Sequence, residues 1–335
     1  MRARETSPTK KCIVWDLDNT LWDGVYLEGD VRVRPDARQA IEKLDHRGIL
    51  HSIASRGDEK LALEVLQRTG LRDFFLVPQI NWEPKPKNII AISKALRLAL
   101  DSLVFIDDDQ VELEQVSYML PEVMTFGADQ TPKLIAHPFF LVEKVTPEAL
   151  LRREFYIAEQ RRQNARLDFP NREAFLKSCA MRLILRRMAA GDLPRVLELI
   201  SRTHRLNTAG RVPAEEELLD RRFCVKVAEL TDRFGGYGTV GAAIVESTAS
   251  SWKLHLLAVT CRVLGRGIER AILATLLAEA RGGGLSRAEA LYRDTGKNRA
   301  MLALYQMMGF RRKGTGVFSL TLARAPAAPS WIEVV

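Results

Sequence analysis

Between residue 11 and about residue 125, short apolar runs alternate with amphipathic stretches. KCIVWDLD (residues 11–18) reads as a buried strand. Residues 35–48 open at Pro35-Asp36, place apolar side chains at Ala40, Ile41 and Leu44, and stop at Gly48, which predicts a helix. ILHSIAS (49–55) is a second strand, and 58–70 a helix closed by Gly70. FFLVP and SLVFID are further apolar runs, separated by a helix expected over 88–99. Strands alternating with helices predict a parallel, doubly wound α/β sheet. From 132 to 180 the alternation stops, and LLRREFYIAEQRRQNARL predicts one charged connecting helix. A second α/β pattern starts at Met181. Strands are expected in MRLILRRMA, Cys224–Leu230, Gly238–Glu246 and WKLHLLAVT, and helices over 191–202 and 265–280. The tail, ARAPAAPS, reads as loose. The expected organisation is a domain over 1–135, a helical connector over 136–180 and a second domain over 181–325.

Composition narrows the function classes. A chain of 335 residues accommodates two domains of about 150 residues each. With 47% hydrophobic and 27% charged residues it is not a disordered chain. No apolar run reaches the roughly 18 residues of a spanning helix, and the basic start, MRARETSPTKK, lacks the apolar stretch of a secretory signal. Cys12, Cys179, Cys224 and Cys261 show no C-x-x-C spacing, so neither a disulfide framework nor a zinc knuckle is expected. These features predict a cytoplasmic protein with free thiols and no membrane association. Residues 1–150 carry 19 basic and 24 acidic side chains, whereas the remainder is positive by about 13. The basic half suits an acidic protein partner better than nucleic acid, since no nucleic-acid motif or interleaved aromatics accompany it. A merely solvated basic face is the plainer reading.

WDLDNTLWDG carries the first candidate chemistry. The strand delivers Asp16 and Asp18 at its C-terminal end, where open parallel sheets hold ligands. Residues two apart on a strand share a face. Paired carboxylates, helped by a main-chain carbonyl, suit Mg²⁺. One Asp then serves as a nucleophile toward phosphorus and the other as a proton shuttle. Later strand ends add Ser55 with neighbouring Arg56 as phosphate donors, Lys85 (or Lys87) to neutralise a transferring group, and Asp107, Asp108 and Asp109 to complete a metal site. Three adjacent acids repel one another unless a cation is present.

The second half offers TCRVLGRGIE, in which glycines precede a helix and let backbone N–H groups approach phosphate. Cys261, beside that turn, is either an acyl-carrying nucleophile or a small core residue. His204 is a candidate base, and Asn207 and Lys297 are candidate orienting groups.

Asp16, Asp18 and Thr20 in D-x-D-x-T, then Ser55, Lys85 and Asp107/Asp108, resemble the haloacid dehalogenase superfamily. The resemblance implies a Rossmann-like core, Mg²⁺ held by Asp16, Asp18, Asp107 and Asp108, an aspartyl-phosphate on Asp16, and Asp18 as general acid/base. Only 35 residues separate Thr20 from Ser55 and 30 separate Ser55 from Lys85, which leaves no room for a large cap. An open site suits a protein-borne substrate. GYGTVGAAIVE and YRDTGKNRAMLALYQMMGF resemble GNAT acyltransferases, which bind coenzyme A or a phosphopantetheine arm in a splay beside the R-x-x-G-x-G turn. Carried over, Arg262, Gly265, Arg266 and Gly267 contact a pantetheine phosphate, and Asn207 and Lys297 become candidate pantetheine-binding groups. The two halves in this order resemble the FkbH-like glyceryl transferase/phosphatases of polyketide biosynthesis, on WDLDNTLWDG, INWEPKPKNI, VFIDDDQVELEQV and TCRVLGRGIE. That resemblance implies 1,3-bisphosphoglycerate as donor, the phosphopantetheine thiol of an acyl carrier protein as acceptor, and loss of phosphate. The chain departs from the family at Thr203-His204-Arg205-Leu206-Asn207, usually T-N-Q-F-N, and at Trp22-Asp23-Gly24, often W-G-G. These departures bear on the donor more than on the metal site. The alternative is a Mg²⁺-dependent phosphatase of a phosphoprotein or phosphometabolite with a binding module behind it.

Overall fold

The computed structural model describes residues 10–142 and 145–335; the start of the basic N-terminal stretch lies outside them. The chain divides into two compact units, one through Glu159 and one from Gln160. The division falls inside a single helix, so the segment expected as a connector is shared between them.

In the first unit, β1 (Cys12–Trp15), β4 (Leu50–Ser55), β5 (Gln79–Ile80), β6 (Leu103–Asp107) and β7 (Met124–Gly127) form a parallel sheet of order β5-β4-β1-β6-β7. β1 is central, with Cys12 opposite both Leu50 and Leu103. Its alternation feeds two apolar layers. Ile13 and Trp15 pack with Ile41 and Leu44 of α1 (Pro35–His46) and Leu66 of α2 (Glu59–Arg68). Cys12 and Val14 pack with Ile89 and Ile92 of α3 (Lys85–Leu96) and Val116 of α4 (Gln110–Met119). A sheet covered on both faces explains why these strands read as unbroken apolar runs. Between β1 and α1 stands only a two-residue ladder, β2 (Trp22–Asp23) with β3 (Arg32–Val33). No larger insertion stands there among the described residues. α3 starts three residues before its expected position, because Pro84 and Pro86 suit a helix entry, where no amide donor is needed. Lys85 thereby becomes the first helical residue. α5 (Pro147–Leu150) leads into α6 (Arg152–Arg166), the charged helix foreseen from the sequence.

The second unit adds α7 (Arg172–Ser178), β8 (Met181–Arg187), α8 (Leu193–Arg202), α9 (Glu215–Leu219), β9 (Phe223–Asp232), β10 (Gly235–Ser247) and β11 (Trp252–Val259). It continues with α10 (Ile268–Gly282), β12 (Arg287–Leu291), α11 (Arg299–Met307), β13 (Arg311–Gly314), β14 (Val317–Thr321) and β15 (Ile332–Val334). The sheet order is β13-β14-β12-β11-β10-β9-β8-β15. α7, α10 and α11 cover one face, and α8 and α9 the other. ARAPAAPS (323–330) forms no strand, but the WIEVV that follows it does: β15 pairs in parallel with β8, and Ile332 enters the core. A buried Arg162–Asp232 pair, at 2.7 and 2.9 Å, lies under Tyr237, with the guanidinium 3.8 Å from the ring centre. The fold class is thus α/β, a Rossmann-like parallel sheet followed by a mixed-sheet unit. No described helix is long and apolar enough to cross a membrane.

Candidate functional site

β1 and β6 are neighbours in register, so Asp16, just beyond the tip of β1, and Asp107, at the end of β6, come together. The Asp16 amide donates to the Ile106 carbonyl at 2.9 Å, which fixes this step. One carboxylate oxygen from each of Asp16, Asp107 and Asp108 lies within 4.8 Å of the others. Asp16 and Asp107 are buried, and Asp108 faces solvent. Lys85 reaches between them from the first turn of α3, donating to Asp16 Oδ1 at 2.7 Å and to Asp107 Oδ2. Burial pushes Asp16 up to about 7, and the Asp107 charge adds to this against the pull of Lys85 and a Ser55 hydrogen bond. Burial also raises Asp107. Burial acts to lower Lys85, but the two carboxylates outweigh it and hold the ammonium above its ordinary range. The buried charges therefore form one mutually dependent set.

Thr20 is fully buried and donates to Asp108 Oδ1 at 3.2 Å, orienting the exposed acid. Asp109 caps α4, and its amide donates to Asp107 Oδ1 at 3.0 Å. Asp18 does not belong to the carboxylate group. Its Oδ1 accepts from Trp22 Nε1 at 2.7 Å and from the Tyr26 amide at 3.1 Å, so the expected side-chain metal role fails there. That arrangement instead fixes a carboxylate near the strand exit. Arg56, expected on substrate, is half-exposed and paired with Glu112 at 2.8 Å. Lys87 points elsewhere, to Glu83 at 2.8 Å. A cleft of about 340 Å³ opens beside Asp108, lined by Asn19, Arg34, Gln110 and Asp129 among others. The three grouped acids supply hard oxygen donors of the kind Mg²⁺ takes. The residues present fit that ion.

In the second unit β11 and β12 pair only at Lys253↔Glu289 and Leu254↔Ala290, then part. This is the splay expected from the sequence. It is bridged by the chain itself. Thr208 N donates to the Leu257 carbonyl at 3.0 Å, and Val259 N donates to the Leu206 carbonyl at 2.9 Å. On the other side Arg293 N donates to the Thr208 carbonyl at 2.9 Å, and Asn298 Nδ2 to the Asn207 carbonyl at 2.8 Å. Asn207, expected to touch the pantetheine, spends its amide on its own loop. Its Oδ1 accepts from Ala209 N and Gly210 N at 3.0 Å each, and its Nδ2 donates to the Arg211 carbonyl at 3.2 Å. Lys297 and His204 line one cleft of about 390 Å³ with Arg211 and Thr295.

Cys261 is exposed just past β11, which removes its core reading. Arg262 donates to the Thr239 carbonyl at 3.4 Å, and the Arg266 guanidinium lies 5.2 Å from the Tyr237 ring centre. Gly265 and Gly267 have φ of +78° and +83°, which only glycine adopts without strain. The Gly265 carbonyl accepts from Arg172, and the Arg266 carbonyl accepts from Trp331 Nε1 at 2.9 Å. Arg172 and Trp331 carry no spacing signal that ties them to the turn they touch, and their roles arise from long-range packing.

No protein-family model matches the chain, and no curated protein matches it either. Among solved structures, a phosphatase-domain fragment from Bacteroides fragilis, crystallised with Mg, is 28% identical over 42% of this chain, with a TM-score of 0.37. The match spans 42% of that fragment, well under two thirds of its length. The ribosomal-protein-S18-alanine N-acetyltransferase of Escherichia coli is 19% identical over 44% of this chain and 97% of its own, with a TM-score of 0.35. An acetyltransferase from Thermus thermophilus is 23% identical over 43% of this chain and 99% of its own, with a TM-score of 0.33.

Proposed function

We propose that the chain moves a glyceryl group from 1,3-bisphosphoglycerate to the phosphopantetheine thiol of an acyl carrier protein and removes phosphate, supplying a polyketide precursor. The observation that supports the reading most is the convergence of Asp16, Asp107, Asp108 and Lys85 at two neighbouring strand tips, with no large insertion among the described residues between β1 and α3.

A thiolate, that of Cys261 or of the carrier, attacks the acyl-phosphate carbonyl; the C–S bond forms and the C1 phosphate leaves. If Cys261 is acylated first, the carrier thiol then takes the acyl group. The remaining phosphate ester enters the first unit. Asp16 attacks phosphorus, the ester P–O bond breaks, and Asp18 gives its proton to the leaving oxygen. Water, deprotonated by Asp18, then releases phosphate from Asp16. Lys85 holds Asp16 in place and offsets charge on the phosphoryl group. Thr20 orients Asp108, and Ser55 steadies Asp16. Mg²⁺ held by Asp16, Asp107 and Asp108 would supply charge neutralisation for the phosphoryl oxygens.

Intact-mass analysis of the carrier after incubation with enzyme, Mg²⁺ and 1,3-bisphosphoglycerate should show a dephosphorylated glyceryl adduct. Asp16→Asn should leave the adduct phosphorylated; a fully dephosphorylated adduct from that variant removes Asp16 from the chemistry. The second reading, a phosphatase with a binding module, is favoured by the bridged β11–β12 splay. Phosphate release that proceeds without carrier, with no adduct formed, selects it.

A further inference from the structure

We infer that the second unit is closed to coenzyme A, because its own chain occupies both places where that cofactor would lie, and that Glu269, Pro329 and Trp331 are the residues that exclude the diphosphate.

Two separate sets of contacts lead here. The first is the free edge of β11. Leu257 and Val259 turn their backbone groups toward the gap before β12, where an extended amide-bearing arm would pair as an added strand. The Leu257 carbonyl and amide are taken by Thr208 N and Oγ1, at 3.0 and 2.9 Å, and the Val259 amide is taken by Leu206. Asn298 makes this filling rigid. It is fully buried, accepts from Tyr292 and Thr295, and donates to the carbonyls of Asn207 and Arg293.

The second set surrounds the glycine turn at the start of α10. A diphosphate there needs an unobstructed helix N-terminus. The first turn instead carries Glu269, largely buried, with a carboxylate that accepts from its own backbone amide and an Oε2 without a partner among the described residues. Burial raises Glu269, against the nearby Arg172 charge. The chain's own acid thus sits where an anion would be drawn. Over Gly267 lie Pro329 and Trp331. A Cβ added to that glycine would stand 3.2 Å from Pro329 Cγ and 3.7 Å from Trp331 Cζ2. β15 anchors these two residues by pairing with β8.

The charge comparison sets the substrate class. Coenzyme A brings a diphosphate and a further phosphate, whereas a carrier-borne arm brings one phosphodiester. The β11 gap, filled by Leu206 and Thr208, is closed to an arm from either source, so a carrier-borne thiol reaches this unit outside that gap, and only the turn tells the two apart. The naming of that thiol rests on the acyl transfer proposed above; the exclusion of coenzyme A does not.

The test is calorimetric titration of the full chain with coenzyme A in chelator. Native protein should bind more weakly than a Kd of about 1 mM. The double variant Glu269→Gln, Trp331→Ala, checked for an intact thermal transition, should bind at least tenfold more tightly. Should the double variant unfold, Glu269→Gln alone carries the comparison. Native binding below about 100 µM overturns the inference. A folded variant that gains nothing overturns the role of these residues. Acylation of the carrier should also proceed at the same rate in excess coenzyme A, and competitive inhibition overturns the inference. Absence of any carrier acylation, with coenzyme A still unbound, overturns the proposed function and leaves this inference standing.

Discussion

Replacing Lys85 by Met removes one cation from between two buried carboxylates and keeps the length of the side chain. The Lys85 side chain is 6% exposed, Asp16 is 7% and Asp107 is 1% exposed. Removing one partner from a buried ionic set costs about 3–5 kcal/mol, since the remaining charges lose their compensation. The apolar stem is largely retained, so packing contributes little to the loss. In chelator, the first unit of Lys85→Met should therefore be less stable by about 3–5 kcal/mol. A divalent ion replaces the missing charge. At about one hundred times its Kd, Mg²⁺ should return about 2.7 kcal/mol. The assay is urea unfolding followed by the fluorescence of Trp15 and Trp22, both fully buried in this unit. A variant within about 0.5 kcal/mol of the native chain in chelator refutes the view that these charges depend on one another. So does a variant whose stability ignores Mg²⁺.

Two further outcomes follow from buried groups. His51 is fully buried on β4 and accepts from Trp15 Nε1 at 3.1 Å; burial pulls it down to about 3. An unfolded histidine titrates near 6.5, so the stability it contributes is present above about 6.5 and is lost as pH falls toward 3. The first unit should lose up to about 1.4 kcal/mol per pH unit below 6.5, and His51→Gln should flatten that slope in urea midpoints taken at pH 7 and 5. Equal slopes for both proteins would count against a neutral buried imidazole. Arg162→Met leaves Asp232 buried without its bidentate partner and should cost the second unit about 3–5 kcal/mol, read from the thermal transition of that unit.

The parts of the site legible in the sequence are those set by strand ends. Asp16, Ser55 and Asp107 each end an apolar run, and a parallel sheet brings the ends of such runs to one edge. Lys85 was legible as a charge, but its reach into the site depends on α3 beginning at that residue, which two prolines allow. Asp18 was legible as an acid beside Asp16, but the spacing does not show that Trp22 Nε1 and the Tyr26 amide take its Oδ1. The glycine turn before α10 was equally visible, yet its surroundings were not. Leu206 acts through a backbone group that any residue carries, Thr208 through its backbone and its hydroxyl, and Trp331 arrives from the segment beyond ARAPAAPS. Local patterns report which backbone shapes are available. They do not report which distant segment fills the space beside them.

The central position of β1 has a consequence for how the protein is made. β1 leaves the ribosome before its two neighbours, β4 and β6, which follow about 35 and 90 residues later. Asp16 therefore waits, solvated, until residues 85 and 107 have emerged and a long loop has closed. The carboxylate cluster is among the last features of its unit to assemble, and a nascent chain stalled before residue 107 carries Asp16 without the second buried acid that faces it in the folded unit.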